Sequence, residues 1–80
     1  MENQVYVLTC VNEEGILVSA EVYGSEFKAR TAMREDMERE RFDAEESGYE
    51  IDDEDIEVYS AFIGFGGNSY KWDITPTIVR

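Results

Sequence analysis

Asp53, Asp55 and Glu57 alternate along the chain as oxygen ligands do in hard-cation loops, a pattern that suits calcium. Two requirements fail. A loop of the EF-hand type starting at Asp53 needs glycine at its sixth position and a bidentate carboxylate at its twelfth, and the chain has Val58 and Gly64 there. No dedicated metal site is expected. Cys10 alternates into an apolar stretch and reads as a small buried hydrophobe rather than a reactive thiol. Gly64-Phe65-Gly66-Gly67 lies between two strand patterns, away from any helix N-terminus whose amides could hold a phosphate, so it reads as a hairpin. The chain has no histidine and one cysteine. Lacking a matched acid, base or nucleophile, it is expected to have no catalytic activity and no cofactor.

What the chain has in quantity is carboxylate. Residues 35–57 hold 13 of its 19 acidic side chains against two arginines, Arg39 and Arg41, so nearly all of the net charge of −12 sits there. Between Glu35 and Glu46 the excess is five negative charges over about 16 Å of helix, one per roughly 3.3 Å. A single DNA strand carries one per about 3.4 Å. An acidic helix of this density can imitate a nucleic-acid backbone toward a protein with a basic surface, or it can be a solvated face that keeps the protein dispersed. On the first reading the contact residues are Glu35, Glu38, Glu40, Phe42, Asp43 and Glu46, with Asp52, Asp53, Glu54 and Asp55 in the segment that follows. Phe42 belongs with them because helical periodicity puts it opposite the apolar stripe, exposed among carboxylates.

These residues must be positioned by a small fold. Eighty residues make one domain, which buries only about 60 to 65% of its unfolded surface. A hydrophobic content of 42% argues for a folded chain in spite of the charge. No apolar run approaches the roughly 20 residues that span a bilayer, and a surface this negative is repelled by anionic lipid and by nucleic acid. Neither membrane nor direct nucleic-acid binding is expected. Without a signal-peptide pattern, and with a lone cysteine, the expected address is cytoplasmic.

Residues 4–11 are apolar or β-favouring on both faces, the pattern of an interior strand. Asn12-Glu13-Glu14-Gly15 then turns the chain into a second strand over 16–23, with Ile16, Val18, Ala20 and Val22 toward the core. Ser25 is placed to N-cap a helix from Glu26, whose Ala29, Met33, Met37 and Ala44 form one narrow stripe. Glu26 with Arg30 and Glu35 with Arg39 are favourable i,i+4 pairs. Ser47-Gly48 stops the helix, and Glu45 and Glu46 at the negative end of its dipole predict a frayed last turn. The run 52–55 reads as a loop or one short turn. Strands over 57–65 and 70–75 follow, joined by Gly66-Gly67-Asn68-Ser69, and Pro76 ends the last strand or leaves it on an exposed edge.

The predicted fold class is α+β: a four-stranded antiparallel sheet of β-β-α-β-β connectivity and strand order 2-1-3-4, with one acidic helix packed on one face. Val7, Val18, Met33, Met37, Ile63 and Trp72 are its expected core. The second and fourth strands would be edges, and an exposed sheet face including Tyr6, Leu8 or Phe62 would allow a homodimer.

Val5-Tyr6-Val7-Leu8-Thr9, then Val22-Tyr23-Gly24-Ser25 ahead of a helix reading Phe27-Lys28-Ala29-Arg30 and turning acidic, carry a resemblance. The first half of the chain resembles a loose group of short acidic ββαβ-type proteins of bacteria, phages and mobile elements, a family of unknown function. The resemblance implies no activity and no site residues. Small acidic proteins of mobile elements include inhibitors of host restriction and CRISPR nucleases, and as an analogy this favours the mimic reading. The expected function is a non-enzymatic acidic binding protein, a nucleic-acid-mimicking inhibitor whose partner is a host nucleic-acid-handling protein with a basic surface. The alternative is an accessory interaction domain whose helix is merely solvated and whose apolar sheet face or edge binds a protein.

Overall fold

In the computed structural model, which describes residues 3–79, the chain runs β1 (Asn3–Asn12), β2 (Leu17–Tyr23), α1 (Glu26–Glu46), β3 (Asp53–Ile56), β4 (Ser60–Phe65) and β5 (Asn68–Val79). The strands form one sheet in the order β2-β1-β5-β4-β3, antiparallel at every neighbouring pair, so the fold is α+β with five strands rather than four.

The helix forms where its cap and periodicity place it. Ser25 is extended, and its hydroxyl accepts from the amide of Lys28 at 3.1 Å. Ala29, Met33, Met37 and Ala44 are the buried residues of α1, as their spacing requires. Its last turn is closed rather than frayed. Gly48, at φ +88°, lets its own amide reach Glu45 O and the Tyr49 amide reach Ala44 O, which satisfies two carbonyls that would otherwise end in solvent. Arg39 pairs with Asp36, one turn before it, and not with Glu35.

The extra strand changes the sheet order. Asp53–Ile56, expected as a loop, pairs antiparallel with 61–64 of β4 as the edge of the sheet. Its acidic side chains have little β-preference, so it is the backbone pairing that makes it a strand. One added reversal after the helix turns β4 parallel to β1 and leaves β5 in the direction that can pair with β1. The central pairing is accordingly β1 with β5, over Asn3↔Val79 to Asn12↔Tyr70. The edges are β2 and β3, not β2 and the last strand. Pro76 sits inside β5 opposite Tyr6. The Ile74 amide bonds Tyr59 O on the β4 side at 2.8 Å, and by the two-residue pleat the missing Pro76 amide points the same way, beyond the end of β4. No ladder bond is lost.

The helix covers the face that carries Leu8, Cys10, Ala61, Ile63, Phe65, Trp72 and Ile74, which with the α1 stripe make the buried cluster; Tyr6 packs against its margin. Two sequence expectations fail here. The side expected for β2 is split between two faces: Ala20 and Val22, the latter 64% exposed, turn to the uncovered side with half-buried Val7, while Val18 stays on the helix side at the rim of a hollow beside Cys10, still 54% exposed, and Ile16, just before β2, is 55% exposed. Leu8, expected on the exposed face, is buried. The cause lies in register. A bulge at Cys10/Val11 pairs Val11 with Leu17 and Cys10 with Ser19, while Thr9↔Ala20 and Val7↔Val22 fix the rest of β2. The helix then takes the face where β4 and β5 contribute Phe65, Trp72, Ile63 and Ile74, the larger apolar area.

Gly66 and Gly67, at φ +54° and +82°, make the two-residue turn between β4 and β5, both in the left-handed region such a turn demands. The Tyr49 ring lies where a Gly66 Cβ would go and stacks at 5.6 Å on Phe65, while Asp52 accepts from the Gly66 amide at 3.1 Å. The connection from the helix is thereby strapped to the hairpin.

Two measurements check this packing. Met37→Ala is expected to cost about 2 to 5 kcal/mol in urea melts, whereas Ile16→Thr, on an exposed side chain, stays within about 0.5 kcal/mol. The opposite ranking would place the helix on the wrong face. Gly66→Ala and Gly67→Ala incur similar backbone strain, but only the first meets Tyr49; Gly66→Ala is therefore the more destabilising, and the gap closes in a Tyr49→Ala background.

Candidate functional site

The acidic stretch does not form one surface. On the outward side of α1, Phe42 is 62% exposed, with Glu38 and Glu35 four and seven residues before it and Glu45 and Glu46 three and four after. At 100° per residue these five side chains share one stripe directly opposite Met33. Asp43 is exposed on its flank. A shallow hollow of about 370 Å³ lies beside Phe42, lined by Glu45 and Glu46.

The remaining candidates are placed elsewhere. Glu40 falls inside the buried stripe between Met37 and Ala44 and is half-buried over the sheet, bordering a hollow of about 190 Å³ with Cys10, Asp36, Arg39 and Tyr70. Burial first, then the carboxylate of Asp43, push its pKa above the ordinary 4.5, against the pull of Arg39. The Cys10 thiol beneath is pushed up to about 11 by burial and by Glu40 and Asp36, so it stays protonated as the buried hydrophobe its pattern suggested. Asp52 holds the glycine hairpin, and Glu54 accepts from Arg41 Nε at 2.8 Å, tying α1 to the edge strand. Asp53 and Asp55 alternate with Glu54 and lie on the other face of the sheet, with Phe62.

Sorting the carboxylates in this way preserves the charge density by a different route. Glu35, Glu38, Asp43, Glu45 and Glu46 are exposed, while Asp36 is engaged by Arg39 and Glu40 is turned inward. Five exposed charges over the same 16 Å again give one per roughly 3.3 Å. Glu45, outside the sequence-derived set, is exposed on the same stripe, whereas Glu40 is turned inward and Asp52 and Glu54 each accept a hydrogen bond from another element or turn. The helical angle already separates Glu40 from Glu38; the partners of Asp52 and Glu54 come from tertiary pairing and leave no trace in local spacing.

Among the described residues no group of three or more His, Cys, Asp or Glu side chains could hold a metal ion, since Asp53 and Asp55 are drawn out along an edge strand. A further concavity, about 1070 Å³, is an open notch on the uncovered sheet face where β4 begins, lined by Glu57, Tyr59, Asp73 and Thr75 among others. Among the described residues no helix is long and apolar enough to cross a membrane. Comparison with protein-family models, with characterised proteins and with solved structures gives no match to this chain.

The inward Glu40 has a measurable signature. A carboxyl whose pKa is raised by folding binds its proton more tightly in the native state, so the ionised form opposes folding above the native pKa and the penalty is relieved on acidification. Glu40→Gln should raise Tm at pH 7, and the gain should shrink as pH falls through the raised native value and vanish below about 4.5. A gain that persists at pH 4 would mean that packing, not charge, is responsible.

Proposed function

We propose that the protein is a non-enzymatic binding protein whose outward helix face occupies the basic groove of a nucleic-acid-handling protein and inhibits it. The observation that carries this reading is the row Glu35, Glu38, Asp43, Glu45 and Glu46, exposed on one rigid helix at the charge spacing of a single nucleic-acid strand. Phe42 in its middle supplies what a solvated acidic helix does not need, an apolar anchor ringed by charge that would be desolvated at the centre of a contact. Long-range attraction between this face and a basic groove would speed the encounter, and Phe42 would slow the escape. The analogy with small acidic proteins of mobile elements points the same way.

A second reading rests on a separate observation, the exposure of Leu17 and Val22 on the sheet face that no element among the described residues covers. There the helix is only solvated and apolar contact does the binding.

Immobilised protein exposed to host lysate separates the two. On the first reading the captured protein is released by single-stranded oligonucleotide, its affinity drops at least about tenfold between 50 and 200 mM salt, and it is lost when Glu38, Asp43, Glu45 and Glu46 are changed to Lys while circular dichroism is unchanged. A partner retained by that charge-reversed variant and indifferent to salt would overturn it.

A further inference from the structure

The face of the sheet opposite α1 is built from alternate residues of every strand. β1 contributes Val5, Val7, Thr9 and Val11, β2 contributes Ala20 and Val22, and β5 contributes Thr75, Thr77 and Val79, placed together by the pairs Val7↔Val22, Val7↔Thr75 and Val5↔Thr77. Among the described residues nothing covers it: Leu17 is 57% and Val22 64% exposed. Isolated antiparallel sheets present a polar outer face to water. This one presents valine and threonine, and the only charged side chains on its β1, β2 and β5 part are Lys71 and Asp73, which cancel.

We infer that this face is a homodimer interface, on which a second copy of the chain packs sheet against sheet. Charge selects that occupant. Most of the net −12 lies on α1 and on the acidic stretch that runs through the edge strand β3, of which Asp53 and Asp55 reach the uncovered face at its edge and Glu57 borders the notch beside Asp73. Two copies meeting through the uncharged β2 and β1 part of this face hold their sheets about 10 Å apart and put the helices on opposite outer surfaces, about 30 Å from one another. That is more than three Debye lengths at physiological salt, so the helices do not oppose the association. Asp53 and Asp55 lie on the edge strand and stay hydrated at the rim. The area is sufficient. About 40 strand residues, each covering about 3.3 by 4.8 Å, give a face of roughly 600 Å² per copy, and two such faces reach the roughly 1,200 Å² at which stable interfaces begin. The inference is independent of what α1 binds; a dimer would present two acidic helices back to back.

Sedimentation equilibrium on the full chain at about 100 μM tests it, with the 9.2 kDa monomer as reference. The expected result is twice that mass, held as firmly in 0.5 M as in 0.1 M salt, because apolar contact survives screening and residual repulsion is removed by it. Thr75→Lys and Val22→Glu change exposed side chains of the face on two different strands, and each should weaken the dimer at least about tenfold while circular dichroism, and Tm at dilutions where the parent is monomeric, stay those of the parent. Thr75 lies away from the β2 edge, so a dimer made instead by edge-to-edge pairing of β2 would survive Thr75→Lys. That survival, or a wild-type chain that sediments as a monomer in 0.5 M salt, overturns the inference.

Discussion

A single helix has to seal one whole side of a five-stranded sheet, and it does so with two alanines and two methionines. Ala29 and Ala44 let the backbone of α1 approach the strands closely near its two ends, and Met33 and Met37 supply the flexible bulk between them. Trp72 and Ile63 lie beneath, fully buried with Met33. Each large side chain in this layer contributes about 1.5 to 3 kcal/mol by burial, against a total stability of about 5 to 15 kcal/mol for a domain of this kind. A handful of contacts therefore holds everything else in place. Glu40 interrupts the same stripe, with its pKa displaced upward because the layer offers its charge too little water.

That layer was largely legible in the sequence. Ser25, the spacing of Ala29, Met33, Met37 and Ala44, and the Gly48 stop are local signals, and local signals decide helices. The apolar texture of β1 on both faces correctly announced an interior strand. The strand at Asp53–Ile56 could not be read, because its side chains argue against β structure and only the free edge of β4 makes one there. Missing it reverses every strand direction that follows, so the order of the sheet was lost with it. The facing of β2 failed for a related reason: the register shift divides Val18 from Ala20 and Val22, its more apolar set, and the weight of aromatic side chains on β4 and β5 decided which side the helix would take.

The candidate site was legible where it depends on helical angle and illegible where it depends on tertiary partners. Phe42 and the carboxylates around it follow from 100° per residue, whereas Arg41 reaching Glu54 and the Gly66 amide reaching Asp52 follow from strand pairing. The structure also separates two properties that composition merges. Charge is concentrated on the helix side and on the β3 edge, and uncharged apolar surface on the β1 and β2 part of the other side, with the sheet between them. A molecule of 50 × 22 × 17 Å thus has two chemically distinct broad surfaces that need not compete.

The β1·β5 pairing carries a consequence for how the chain reaches this state. Its partners are 58 to 76 residues apart in sequence, and β5 follows every other element of the fold. The β1–β2 hairpin and the helix can form early from local contacts, yet the middle of the sheet stays open until the final strand arrives, and closing so long a loop must precede any reward from that pairing. During synthesis β1 waits with its inner edge unpaired and its apolar faces in water, the condition in which unfinished chains stick to one another. The density of negative charge emerging between β2 and β4 repels like chains whether or not the sheet has closed, which opposes that contact while the first strand waits for the last.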